Sequence, residues 1–172
     1  MFKTKKIRID SNLADKEFTS SEISEVTGVS LRQLQWWDEQ KVVSPRHEGH
    51  KRLYLAEEAI EIAVIAELRR KGFSLQKIRR VLRFLQKEMG KRLSEILGAA
   101  NDMHLVTDGK SIYLEGDNES IIDILKNADL PMFLVCVTDQ VKRLGAAVIV
   151  EAPSRKSVAR ETPRTVRRSR AV

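Results

Sequence analysis

The chain has one cysteine, Cys136, among 172 residues, and its three histidines, His47, His50 and His104, lie far from it in sequence. A lone thiol in an apolar run excludes a disulfide framework and a soft-metal site built from paired or tripled thiolates, and it reads as a small buried hydrophobe. No apolar stretch reaches the roughly 20 residues that a bilayer-spanning helix needs. The segment Met1 to Asp10 has no apolar core of signal-peptide length, so a cytoplasmic protein is expected. Nucleophile elbow, phosphate loop and metalloprotease motif are all missing, and no catalytic, metal-binding or cofactor role is expected. Asp102, Asp108, Asp117, Glu119 and Asp123 are dense, but their places at turns and in a helix's first turn are explained by capping and the helix dipole.

Charge is abundant and unevenly placed. Residues 1 to 90 carry 18 basic and 13 acidic side chains, net +5; residues 91 to 152 carry 6 and 10, net −4; residues 153 to 172 carry 7 and 1, net +6. Residues 1 to 17 form a flexible basic arm with Lys3, Lys5, Lys6 and Arg8. The final segment, PSRKSVARETPRTVRRSRAV, has no helical or strand period and reads as a disordered basic tail. Such a tail either adds affinity for phosphate without sequence preference or serves solubility alone.

Residues 18 to 54 hold the most ordered signals. Thr19 with Glu22 forms a capping box stapled by Phe18 and Ile23, and Ser30 with Gln33 repeats the device with Val29 and Leu34. Each cap contributes on the order of 1 kcal/mol, enough to fix two short helices that would be marginal alone. Gly28 can take the left-handed conformation that stops the first. Between residues 41 and 54, Lys41, Arg46, Lys51 and Arg52 face a single acid, Glu48, with Pro45 and Gly49 as turn residues. A two-stranded wing with cations at its tip is a natural phosphate clamp.

The period of the second helix divides its residues. Leu34 and Trp37 fall on the core side, whereas Arg32, Gln35, Trp36 and Glu39 gather on the other. Arg can read guanine edges, Gln can read adenine, and an indole offers one donor and a flat face. The alternative for Trp36 is a partly buried core ring.

With these residues in place the chain resembles the MerR family of bacterial transcription factors. The resemblance rests on Thr19 to Ile23, Thr27-Gly28-Val29-Ser30, Arg32-Gln33-Leu34-Gln35-Trp36-Trp37-Asp38, Arg52-Leu53-Tyr54, and Gly72-Phe73-Ser74-Leu75 with Ile78, over about residues 18 to 85. Family members usually show Arg-Tyr-Tyr where this chain has Gln35-Trp36-Trp37. The resemblance implies double-stranded DNA as partner, a homodimer on a two-fold site, and RNA polymerase at the promoter. It also implies an effector bound by the C-terminal part, but the residues there name no ligand. The expected DNA contacts are Thr19, Ser30, Arg32, Gln33, Gln35, Trp36, Arg46, His50, Lys51, Arg52 and Tyr54.

Beyond the wing, a helix from about Ala56 to Lys71 is apolar on more than one side, and Leu55 before it cannot cap. Leu75, Ile78, Leu82, Leu85 and Met89 then form a short heptad seam, whose first half reads as packing on its own domain. Leu82, Leu85 and Met89 are the candidate dimerisation residues. Gly90 interrupts the seam and leaves a short helical segment from Lys91 to Ala99, where the resemblance implies a long dimerising helix. Dimerisation must use a shorter helix pair or the C-terminal region, or not occur.

The acidic segment is read as strands at Met103 to Thr107 and Ser111 to Glu115, joined by Asp108-Gly109-Lys110. A helix capped by Asp117 or Asn118 follows, then a strand from Met132 to Val137 and a helix from Thr138. Gly145 either stops that helix or not, and Ala146 to Val150 could be a strand.

The expected fold is mainly α with small β: a basic arm (1–17), a winged helix-turn-helix domain (18–89), a small α/β region of order ββαβα for dimerisation or sensing (90–152), and the tail (153–172). The expected function is sequence-specific transcriptional regulation. The alternatives are an excisionase-like or architectural DNA binder without effector sensing, and a protein-interaction factor acting through the acidic region.

Overall fold

The computed structural model describes residues 13–98 and 101–150; the basic arm up to residue 12 and the tail from 153 lie outside the described residues. The chain runs β1 (Glu17–Thr19), α1 (Ser20–Thr27), α2 (Leu31–Glu39), β2 (Arg46–Glu48), β3 (Lys51–Leu55), α3 (Ala56–Arg70), α4 (Leu75–Gly98), β4 (His104–Thr107), β5 (Ile112–Glu115), α5 (Asn118–Lys126), β6 (Phe133–Cys136) and α6 (Val137–Val150).

Local chemistry sets the helix ends. Thr19 N–H donates to Glu22 Oε2 at 2.6 Å, and Thr19 Oγ1 accepts the Glu22 N–H at 3.3 Å, the reciprocal cap expected for α1. Ser30 Oγ accepts the Gln33 N–H at 3.2 Å, but Gln33 returns no bond, so α2 has half of the device. Gly28, at φ 73°, closes α1. Leu55 offers no side-chain cap to α3; its own N–H is held by Glu58 Oε2 at 2.8 Å. At the far end Gly72 N–H donates to Arg69 O and Phe73 N–H to Leu68 O, both at 3.0 Å, which is a Schellman closure. The same closure ends α2 through Lys41 N–H to Asp38 O and Val42 N–H to Trp37 O. There the left-handed position is held by Lys41 at φ 54°, a strained backbone for a residue with a Cβ.

Helix α3 is the hub. Residues Ala59 to Ala66 are all buried, because α1, α4, α6, β3 and β6 pack around them. The two sheets are antiparallel, ordered β1-β3-β2 and β5-β4-β6. The acidic segment thus has the expected ββαβα order, with Asp117 Oδ2 accepting the Ser120 N–H at 2.9 Å as the cap of α5.

Three features differ from expectation. Helix α4 continues through Gly90 to Gly98, so the boundary expected at residue 90 falls inside a helix. Helix α6 continues through Gly145, and Ala146 to Val150 is helical rather than a strand. The winged portion and the α/β portion also share one core: Leu34, Trp37, Ile62 and Leu85 belong to the same buried cluster as Leu105, Val135, Val141 and Leu144. Phe73 meets Phe133 edge to face at 4.7 Å across that junction. Leu82, Leu85 and Met89 are 3%, 1% and 1% exposed within a single chain, so the residues assigned to dimerisation are consumed by the protein's own core.

Candidate nucleic-acid interface

The exposed face of α2 follows from its wheel. Leu34, Trp37 and Asp38 turn inward, and Arg32, Gln35, Trp36 and Glu39 turn outward. Trp37 is 1% exposed and Trp36 is 43% exposed, so adjacent indoles take opposite roles and the buried-ring alternative for Trp36 is excluded. Gln35 Nε2 donates to Glu39 Oε1 at 2.8 Å, which holds the amide across one helical turn. Gln33 is half-buried at the edge of the face. Leu31, 53% exposed at the first turn, was not among the expected contacts; its wheel position beside Gln35 was the signal for it. An exposed leucine here can meet a thymine methyl group. Thr19 and Ser30 spend their hydroxyls on the helix caps.

The wing is a two-residue hairpin in which Glu48 pairs with Lys51 and Gly49 takes φ 60°. Gly with positive φ at the first turn position suits the twist of the strands. His50 and Lys51 stand exposed at the tip, as expected. The other expected wing contacts are engaged with the protein itself. Arg46 Nη2 holds both carboxylate oxygens of Glu17 at 2.8 and 2.9 Å. Arg52 Nε donates to Asp38 Oδ2 at 2.8 Å, and His47 Nε2 lies 2.9 Å from the same oxygen. Since His47 and Arg52 are cross-strand partners, one carboxylate on the inner face of α2 ties both strands of the wing to α2. Arg52 is therefore a positioning residue in this structure.

Tyr54 is corrected more strongly. It is 1% exposed, and its hydroxyl is buried with no hydrogen-bond partner of standard geometry among the described residues. Burial raises its pKa, with Ser20 and Arg52 offsetting part of that. Arg52 and Tyr54, two residues apart on β3, share the inner face of the wing.

Two further clusters lie away from this face. Asp102, Cys136 and Asp139 bring one ligand atom each to within 4.8 Å of one another. Lys142 Nζ already sits 2.9 Å from Asp102 and 3.5 Å from Asp139, and burial pushes the Cys136 thiol up. On the α/β portion a cleft of about 460 Å³ is bordered by Asp108, Tyr113, Asp123, Asp129 and Leu130. Among the described residues no helix is long and apolar enough to cross a membrane.

Residues 18–85 match the family model described as MerR HTH family regulatory protein. No curated protein matches the chain.

Proposed function

We propose, from the premise that residues 18–85 are a MerR-family helix-turn-helix domain, that this DNA-binding regulator reads operator sequence through α2 laid in the major groove. The observation that carries this reading is the outward set Arg32, Gln35 and Trp36, with Leu31 beside it, on a helix whose opposite side is fully buried. An arginine, an amide, an indole face and an aliphatic group together cover guanine, adenine and thymine edges. His50 and Lys51 meet the phosphate backbone from the wing tip and set the depth and angle of α2 without carrying sequence information. Thr19 and Ser30 contribute through the helix N-termini that they cap, where backbone N–H groups attract phosphate.

The protein acts as a homodimer on an inverted repeat at a promoter, where RNA polymerase is the further partner. Because Leu82, Leu85 and Met89 are occupied within each copy, the dimer is formed through another surface. The α/β portion is not a separate appendage, since it shares a core with the DNA-reading unit. An effector that altered the packing of α6 on α3 would reach α2 through α1, which packs on all three helices.

Affinities for an operator and for scrambled DNA at one fixed salt concentration test the face assignment. Arg32→Ala and Trp36→Ala are expected to lower the ratio of the two affinities by about 5- to 100-fold, the equivalent of about 1–3 kcal/mol per lost base contact. Lys51→Ala should weaken both duplexes alike. An unchanged ratio in Arg32→Ala would show that α2 presents a different face to the duplex.

A further inference from the structure

Helix α4 carries a second charged feature that the reading head does not use. Its inner side is the apolar row Ile78, Val81, Leu82, Leu85 and Met89. On the opposite arc, within about 120° of one another on the wheel, lie Arg79, Arg80, Arg83, Lys87 and Lys91. All five side chains are exposed, none has an ion pair among the described residues, and no acid shares their arc. Arg79 to Lys91 spans about 18 Å of helix, at 1.5 Å per residue.

The row begins at the recognition helix. Arg79 Nη2 donates to Gln40 O, the cap carbonyl of α2, at 3.4 Å. A cleft of about 350 Å³ at this junction is lined by Lys41, Val42, Arg79, Leu82, Arg83 and Gln86. Lys41 occupies the strained left-handed position where glycine would cost nothing, so a sixth cation is kept at the junction against a backbone penalty. The cationic row therefore starts at the C-terminal end of α2, where Arg79 and Arg83 share a cleft with Lys41.

Resting on the DNA-binding reading above, we propose that α4 is a phosphate-binding track: Lys41, Arg79, Arg80, Arg83, Lys87 and Lys91 follow the backbone of the same duplex beyond the base pairs that α2 reads. A helix face with only cations, adjoining a groove-reading helix, matches the phosphate array in sign and in linear extent. About 18 Å corresponds to roughly five base pairs of axial length. The track supplies affinity and register but no base readout.

The test uses the full chain and a triple variant, Arg80→Gln with Lys87→Gln and Lys91→Gln, whose exposed positions leave the core untouched. Affinity is measured against salt concentration for a long duplex containing the operator and for one cut to a single half-site of about one helical turn. On the long duplex the slope of log K against log salt should fall in magnitude by about 0.9 per lost phosphate contact, hence by about 2–3. The operator-to-scrambled ratio should stay unchanged, and the variant and wild type should converge on the short duplex. An unchanged slope on the long duplex overturns the proposal. So does loss of self-association with the slope retained, which would make the row a surface for the acidic portion of a second copy. If wild type shows no preference among sequences, the regulator reading itself fails, a result separate from either.

Discussion

Replacing Asp38 by alanine is expected to weaken binding to all DNA sequences together and to lower stability by about 2–3 kcal/mol. The carboxylate is 7% exposed, and one oxygen receives both the Arg52 guanidinium and the His47 imidazole. Removing one partner of a fully buried pair costs about 3–5 kcal/mol, because the remaining charge is stranded. Here Arg52 and His47 are 26% and 51% exposed and can rehydrate, so the lower figure applies. The functional consequence is geometric. Asp38 is the α2 side chain that pairs with both strands of the hairpin, so its loss is expected to loosen the angle of the hairpin and, with it, the proposed phosphate contacts of His50 and Lys51. Asp38→Asn keeps an acceptor but loses the charge, and should fall between wild type and alanine. Urea midpoints and affinities for operator and scrambled duplexes report the two effects. Unaltered affinity in Asp38→Ala would mean that the wing tip does not touch DNA.

The second large effect concerns pH. Glu61 is 4% exposed at the centre of α3, and burial pushes its carboxyl up to about 7. Gln86 Nε2 donates to it at 3.4 Å and offsets part of the shift, while Glu58 and Glu57 add to it. In the unfolded chain the group titrates near its ordinary 4.5. Between about 4.5 and 7 the folded protein holds a proton that the unfolded chain has released. Stability therefore declines as pH rises through this window and levels off above it. A displacement of about 2.5 pK units corresponds to a loss on the order of 3 kcal/mol. Glu61→Gln should remove this decline, so that the variant gains over wild type at pH 8 and matches it more closely at pH 5. Denaturant midpoints at the two pH values measure it. Parallel pH profiles for wild type and variant would place the ionisable burden elsewhere.

How far the sequence disclosed these features depended on whether the deciding interaction was local. The caps at Thr19 and Asp117, the Gly28 stop and the Asp108 hairpin depend on neighbours within a few residues and form as read, whereas at Ser30 only half of the reciprocal cap forms. Gly90 misled, and Gly145 left the end of its helix open, because a glycine in a helix costs only about 1 kcal/mol, which packing of α4 and α6 on α3 outweighs. The outward face of α2 was legible from its period alone. The wing was only partly so: Lys51 and His50 face outward, but Arg52 and Tyr54 share the inner face of β3. The overlooked clue was Asp38, an acid on the apolar arc of α2 that requires a cationic partner. Glu61 was similarly visible in principle, since a charged residue amid the Ala59 to Ala66 run of a helix apolar on more than one side has little route to water.

Whether α2 reads DNA sequence is tested most directly by selection of bound duplexes from random DNA by the full chain at fixed salt. The expected outcome is a spaced inverted repeat whose half-site preference changes when Arg32 or Trp36 is replaced. Recovery of no enriched motif by the wild-type protein would contradict sequence reading by α2.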